Sequence, residues 1–244
     1  MSSDTAYLAL MLDAPLQSWG HESRFQRRTT GLHPTKSGVI GLICAAMGLA
    51  KGSEEERDML PRLGELRMTS IAIPRQQSNR WTAESEEMAV RRLEDFHTVL
   101  KTRRATGSMN PDPVVTRRQY LLDARFGVIL AGHRDLLERV AASLLDPKWG
   151  VWLGRKSCIA AELILRGLYA VQDDAERELL GDASPEEVTR VTEVERFADG
   201  TDSLNDRPVS FGDGRSSGPD RRQFAPRRVS VQPGTSVPDR KRQL

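Results

Sequence analysis

Two cysteines in 244 residues leave little material for a covalent or metal scaffold. Cys44 and Cys158 stand far apart, with no Cys-x-x-Cys and no paired Cys/His spacing, which argues against a zinc site. One of them lies inside an apolar run, which fits a reducing cytoplasm better than a disulfide framework. Long apolar stretches are missing too. The longest, Val39 to Ala50, is broken by Gly41 and Gly48 and is shorter than the roughly 20 residues a membrane helix needs. The first residues, MSSDTAYLALML, carry no basic leader and read as a tail and a strand rather than a signal peptide. No internal repeat, Ser-His-Asp order, HxxE or paired-carboxylate motif stands out. The expectation is a cytoplasmic chain without metal, cofactor or membrane segment.

What is present suits one large domain or two modest ones. Apolar residues make up 38%, enough for a core, and the mean hydropathy of -0.49 indicates a polar surface. The net charge of +2 conceals a segregation. Trp19 to Lys36 holds four Lys/Arg against one Glu, and Arg75 to Gln119 nine against six acids. Arg215 to Leu244 has eight against two, whereas Gln172 to Asp202 has three against eleven. Segregated basic patches are the electrostatic footprint of a nucleic-acid binder; chance clustering on a solvated surface is the alternative.

The apolar pattern predicts an α+β fold. Ala6 to Leu12 reads as a buried strand and Asp13 to Pro34 as a basic loop. A helix capped by Thr35 or Ser37 runs to about Leu49. Gly38 and Gly41 each cost it roughly 1 kcal/mol relative to Ala, so something must approach its backbone closely. Ser53 to Leu60 is a short acidic helix with a capping box. Leu66 to Ile73 is a strand ending at Pro74. Arg75 to Arg118 is an Arg-rich insertion, read as a hairpin. Tyr120 to Ala131 reads as one strand with a bulge at Gly127, Arg134 to Leu145 as an amphipathic helix, and Val151 to Leu153 as a further strand. The order β-α-β-β-α-β is the ferredoxin-like arrangement, which the RNA-recognition module also uses. The expected division is residues 1–150 with the insertion at about 75–118, a smaller β-rich part at 151–214, and a basic segment at 215–244. Leu163 to Val171, Val188 to Phe197 and Phe224 to Val231 are the strands expected after Gly150, and the end of the chain reads as mobile in isolation.

The stretch "RRTTGLHPTKSGVIG" places Lys36 where a loop becomes a helix. A nucleotide loop needs Gly-x4-Gly-Lys-Ser/Thr, and Thr30 and Thr35 occupy its glycine positions. A helix N-terminus still offers free N–H groups and the positive end of a dipole. Arg24, Arg27, Arg28 and Lys36 could therefore grip a phosphodiester backbone, or Lys36 could be a solvated lysine beside a helix cap. In "WGVWLGRKSC", Arg155 and Lys156 follow Trp149 and Trp152, which read as core residues or as a stacking surface. The insertion carries further arginines, among them Arg103 and Arg104. His21 and His33 are of the right type for the general base of a metal-free ribonuclease.

"LDAPLQSWGHESRFQRRTTGLHPTKSGVIGLICAAMG", "WLGRKSC" and "RRQFAPRRV", in this order and spacing, resemble the CasD subunits of type I-E CRISPR Cascade complexes, members of the RAMP superfamily. The resemblance spans nearly the whole chain. It implies an RNA-recognition-like domain with a thumb-like hairpin and a small β-rich C-terminal part. It implies a non-catalytic subunit that holds the 5′ handle of the CRISPR RNA. Such a subunit caps the guide-RNA end of the complex, beside the CasC backbone subunit and the large CasA subunit, and meets target DNA through the assembly. A relative in another subtype cuts repeat RNA, so a metal-independent endoribonuclease is the second reading and a nucleotide-binding enzyme the third. RNA contacts are expected at Trp19, Arg24, Arg27, Arg28, Lys36, Ser37, Gly38, Arg103, Arg104, Arg155 and Lys156.

Overall fold

In strand β1 (Thr5–Asp13), Ala6, Leu8, Leu10 and Leu12 face one side and Tyr7, Ala9 and Met11 the other, and all are buried. A strand covered on both faces reads as an unbroken apolar run, which is why TAYLALML shows no polar alternation. A computed structural model describes residues 4–20, 27–78, 85–88, 90–104, 106–212 and 221–234. After β1 come the short strands β2 (Leu16–Gln17) and β3 (Arg27–Arg28), then helices α1 (Lys36–Met47) and α2 (Glu54–Glu65) and strand β4 (Arg67–Ala72). Two hairpins follow, β5 (Arg75–Ser78) with β6 (Ser85–Met88), and β7 (Arg91–Val99) with β8 (Val114–Leu122). The chain continues as β9 (Arg125–His133), α3 (Arg134–Leu145), β10 (Leu165–Tyr169), α4 (Gln172–Leu180), β11 (Thr189–Glu193), β12 (Asp202–Ser210) and β13 (Gln223–Gln232).

Seven strands form one antiparallel sheet in the order β10-β1-β9-β4-β11-β13-β12. Helices α1, α2 and α3 cover one face through Ile40, Ile43, Leu60, Leu63, Leu137 and Val140. Helix α4 covers the other, seating Ala175, Leu179 and Leu180 on Tyr7, Met11, Ile71 and Ile129. The strands after residue 150 form no sheet of their own: β10 pairs with β1, and β11 extends the sheet beyond β4. A smaller sheet, β2-β8-β3 with β7 also on β8, stands beside the main one. Among the described residues, no helix is long and apolar enough to cross a membrane.

Several expectations change. Tyr120 to Ala131 is two strands, because Asp123 adopts φ 52° and turns the chain from the small sheet into the large one. Gly127 makes no bulge, since its register with β1 and β4 is continuous. A Cβ there would lie 3.1 Å from Leu179, so the glycine lets α4 approach. Val151 to Leu153 is not a strand; β10 takes that place in the order. Helix α2 runs through Pro61 to Glu65, held by the burial of Met59, Leu60 and Leu63. Strands β2 and β3 interrupt the expected loop, and α4 and β12 were not foreseen. Most of the C-terminal segment read as mobile lies outside the described residues.

Gly154, the glycine of WLGRKSC, has φ +100°, and a Cβ there would sit 1.7 Å from the Ser18 carbonyl oxygen. The Ser18 amide donates to the Leu153 carbonyl at 3.1 Å, so this contact joins two distant loops. Gly154→Ala is expected to cost at least 2 kcal/mol, combining a disfavoured conformation with backbone overlap. Thermal unfolding should report a fall in Tm of about 4–8 °C or more.

Candidate nucleic-acid interface

Lys36, the residue expected to meet a phosphate, has 0% of its surface exposed. Its Nζ donates to both carboxylate oxygens of Glu193 on β11, at 2.9 and 2.8 Å. The Lys36 amide, at the N-terminus of α1, donates to Asp206 Oδ2 at 2.8 Å. Arg227 on β13 closes the cluster: its Nε and Nη2 donate to Asp206 at 2.6 and 3.0 Å, and its Nη1 lies 3.9 Å from Glu193. The positive end of the helix is thus met by an internal carboxylate. Burial pulls the Lys36 ammonium below its ordinary pKa, and Glu193 opposes that pull. The expected phosphate contact at Lys36 is therefore corrected to a buried ion cluster.

Gly38 is explained by the same corner. Its missing Cβ would lie 3.0 Å from the Trp19 ring and 3.0 Å from Thr35 Oγ1. The close approach demanded by glycine in a helix comes from the protein's own tryptophan, and Gly41 has no comparable neighbour. Trp19 is fully buried, donates Nε1–H to Gln17 Oε1 at 3.0 Å, and is unavailable to stack on a base. The Gly38 amide donates to the capping hydroxyl of Thr35, and Ser37 is half-buried in the same turn. Trp19, Lys36 and Gly38 build the wall behind the site.

Arg155 ties the small sheet together. Its Nη1 donates to the Gln119 carbonyl at 2.9 Å and its Nη2 to the Arg28 carbonyl at 3.0 Å, with the guanidinium 4.5 Å from the Tyr120 ring centre. Lys156 is exposed, 5.8 Å from the Trp152 ring. Trp149 and Trp152 are 44% and 36% exposed, which favours a surface role over a core one. Arg103 and Arg104 are exposed in the segment joining β7 to β8, where Arg104 Nη2 donates to Asn110 Oδ1 at 3.2 Å. His21 and Arg24 lie outside the described residues.

What the structure does bring together is Arg27, Arg117, Val115 and Phe96. Parallel pairing sets Arg27 beside Arg117 and Arg28 beside Arg118, and antiparallel pairing sets Phe96 opposite Arg117. Arg27, Phe96, Val115 and Arg117 line an open groove of about 540 Å³. Arg27 and Arg28 are exposed and form no ion pair among the described residues. Arg117 has only Glu94 at 3.8 Å, an exposed pair of the kind worth little. Sequence reading missed Phe96 and counted Arg117 and Arg118 only among the arginines of the insertion, with no individual role. The signal was the two-residue alternation along β7 and β8, but the register linking them to β3 is a tertiary fact. Among the described residues, no group of three His, Cys, Asp or Glu side chains is placed to hold a metal ion.

His33 is packed on Phe126, ring centres 5.8 Å apart, with Ser70 Oγ 3.5 Å from Nδ1. Burial pushes its pKa down to about 4. The unfolded chain therefore binds this proton between about pH 6.5 and 4 while the fold does not, and stability falls as pH drops through that window. The loss is on the order of 3 kcal/mol for this group. Asp13, raised mainly by its own burial, acts with the opposite sign. Denaturant titrations should show His33→Gln flattening the acid slope between pH 6.5 and 4. A second expectation concerns the ion cluster. Lys36→Met leaves one arginine against two buried carboxylates and should cost about 3–5 kcal/mol, read as a lower Cm. Adding Glu193→Leu should recover most of it.

Comparison with known proteins agrees with this architecture. The model of the CRISPR-associated protein (Cas_Cas5) family matches residues 7–230. The chain is 29% identical over 172 residues to the CRISPR system Cascade subunit CasD of Escherichia coli (strain K12), spanning 69% of this chain and 73% of that one. A solved chain of a CRISPR RNA-guided surveillance complex superposes with a TM-score of 0.68 at 28% identity, covering 93% of this chain and 90% of that one. The crystal structure of a Cas protein gives 0.58 at 26% identity, covering 93% of both chains. With a family match across almost its whole length, this chain belongs to the CRISPR-associated protein (Cas_Cas5) family.

Proposed function

We propose that this chain is a non-catalytic subunit of a Cascade-type CRISPR RNA-guided complex. In this reading it holds the 5′ handle of the guide RNA and caps the backbone in antiviral defence, in contact with a CasC-like and a CasA-like subunit. The carrying observation is the arginines on the exposed strands of the small sheet, where register pairs Arg27 with Arg117 on one face and Arg28 with Arg118 on the other, with few carboxylates to neutralise them. Arginines at strand spacing can follow a sugar-phosphate chain, which supplies affinity and register without reading sequence. The order β10-β1-β9-β4, with helices crossing from β1 to β4 and from β9 to β10, supports a ferredoxin-like, RNA-recognition-like body. The β7–β8 hairpin is the natural thumb, with Arg103 and Arg104 near its end. Arg155 serves as a brace that holds β3 against β8, and Lys156 with Trp152 offers a second contact surface.

The test is fluorescence anisotropy of the full chain with labelled repeat RNA across a salt series. Arg27→Ala, Arg28→Ala and Arg117→Ala should each weaken binding and lower the slope of log K against log salt by about 0.7, the value for one phosphate on a single strand. Lys36→Met should leave that slope unchanged. The RNA should remain full length in EDTA. Unchanged slopes for all three arginine variants would reject this surface, and specific cleavage would reject the non-catalytic reading.

A further inference from the structure

Phe96 is 65% exposed, on a strand whose register puts it across from Arg117 and next to the groove that Arg27 lines. The arginine–aromatic spacings on this protein separate into two kinds. Arg228 lies 4.2 Å from the centre of the Phe197 ring and Arg155 lies 4.5 Å from Tyr120; both are in direct contact. Arg117 stands 6.0 Å from the centre of the Phe96 ring, at the outer limit of a cation–π contact. A flat base is about 3.4 Å thick, so a base between two flat groups needs them about 6.8 Å apart. The 6.0 Å between the Arg117 guanidinium carbon and the Phe96 ring centre is about 0.8 Å short of that separation. Arg117 is exposed and only loosely paired with Glu94, so it can move the remaining distance without breaking a buried contact. Val115 provides an apolar wall in the same groove.

We infer that the space between Arg117 and Phe96 is a slot for one unstacked base of the bound RNA, with the phosphate of that nucleotide on Arg27. The inference rests on the handle-binding reading and adds to it a base site on a surface otherwise described by phosphate contacts. Stacking accepts any base, because every base has a π face, and it releases no counterions. The slot therefore contributes affinity that salt does not remove, and it marks one nucleotide position without selecting which base stands there.

The test uses the full chain, labelled handle RNA and a set of RNAs each carrying one abasic nucleotide. Phe96→Ala and Phe96→Leu should both weaken binding by roughly 5- to 150-fold with an unchanged salt slope, whereas Phe96→Tyr should stay within about threefold of the parent. One abasic position should cost a similar factor in the parent and nothing in Phe96→Ala. Because Phe96 is mostly exposed, the variants should keep the parent's thermal unfolding. Binding by Phe96→Ala or Phe96→Leu within twofold of the parent would overturn the slot. So would equal abasic costs in both backgrounds, or a loss confined to assembly with neighbouring protein subunits. If the parent binds no handle RNA, the handle reading fails on its own, and the same abasic comparison on unrelated single-stranded RNA then decides the slot.

Discussion

The buried cluster of Lys36, Glu193, Asp206 and Arg227 joins the start of α1 to β11, β12 and β13. Two positive and two negative charges leave water together, and such groups are tolerated in an interior only when each finds its partner. The constraint spans much of the chain: residue 36 meets residues 193 and 206, and residue 227 holds both of those. It anchors the C-terminal strands to the first crossover helix and makes β13, a strand from the basic end of the chain, an internal member of the main sheet. The helix N-terminus is consumed in the process, so the anion-binding capacity of that turn is spent on the fold.

The exposed charge therefore lies elsewhere. With Lys36 inside and Trp19 sealed beneath Gly38, the loop after β1 acts as a wall. Its outer edge is β3, where Arg27 and Arg28 remain in water beside Arg117 and Arg118 of β8. Arg155 holds that edge in place by donating to carbonyls on both sides of it. These segments thus lie at different depths. The Lys36 turn secures the core, the Gly154–Arg155 loop braces the small sheet, and the exposed strands present the charge.

The acidic segment has its place in this arrangement. Its helix, α4, lies on the face of the main sheet opposite α1 and α3. Two of its carboxylates are taken up locally, Glu176 by Arg190 and Asp174 by Arg177. The strong negative charge read along the chain is therefore partly neutralised at home.

The sequence by itself determined the elements whose periodicity is unambiguous: β1, α1, the start of α2, β4 and α3 follow from apolar spacing, from a cap at Thr35 or Ser37 and from the capping box at Ser53. It also determined that Gly38 needs a close neighbour and that the basic charge is segregated. It left open which neighbour that is, and whether Lys36 meets a foreign phosphate or lies solvated beside a helix cap; the internal carboxylate was not visible in it. Tertiary structure decided both, because burial depends on strands 150 and more residues away. It likewise decided that Arg27, Arg117 and Phe96 share one groove, since strand register is set by pairing between distant segments and leaves no trace within any one of them.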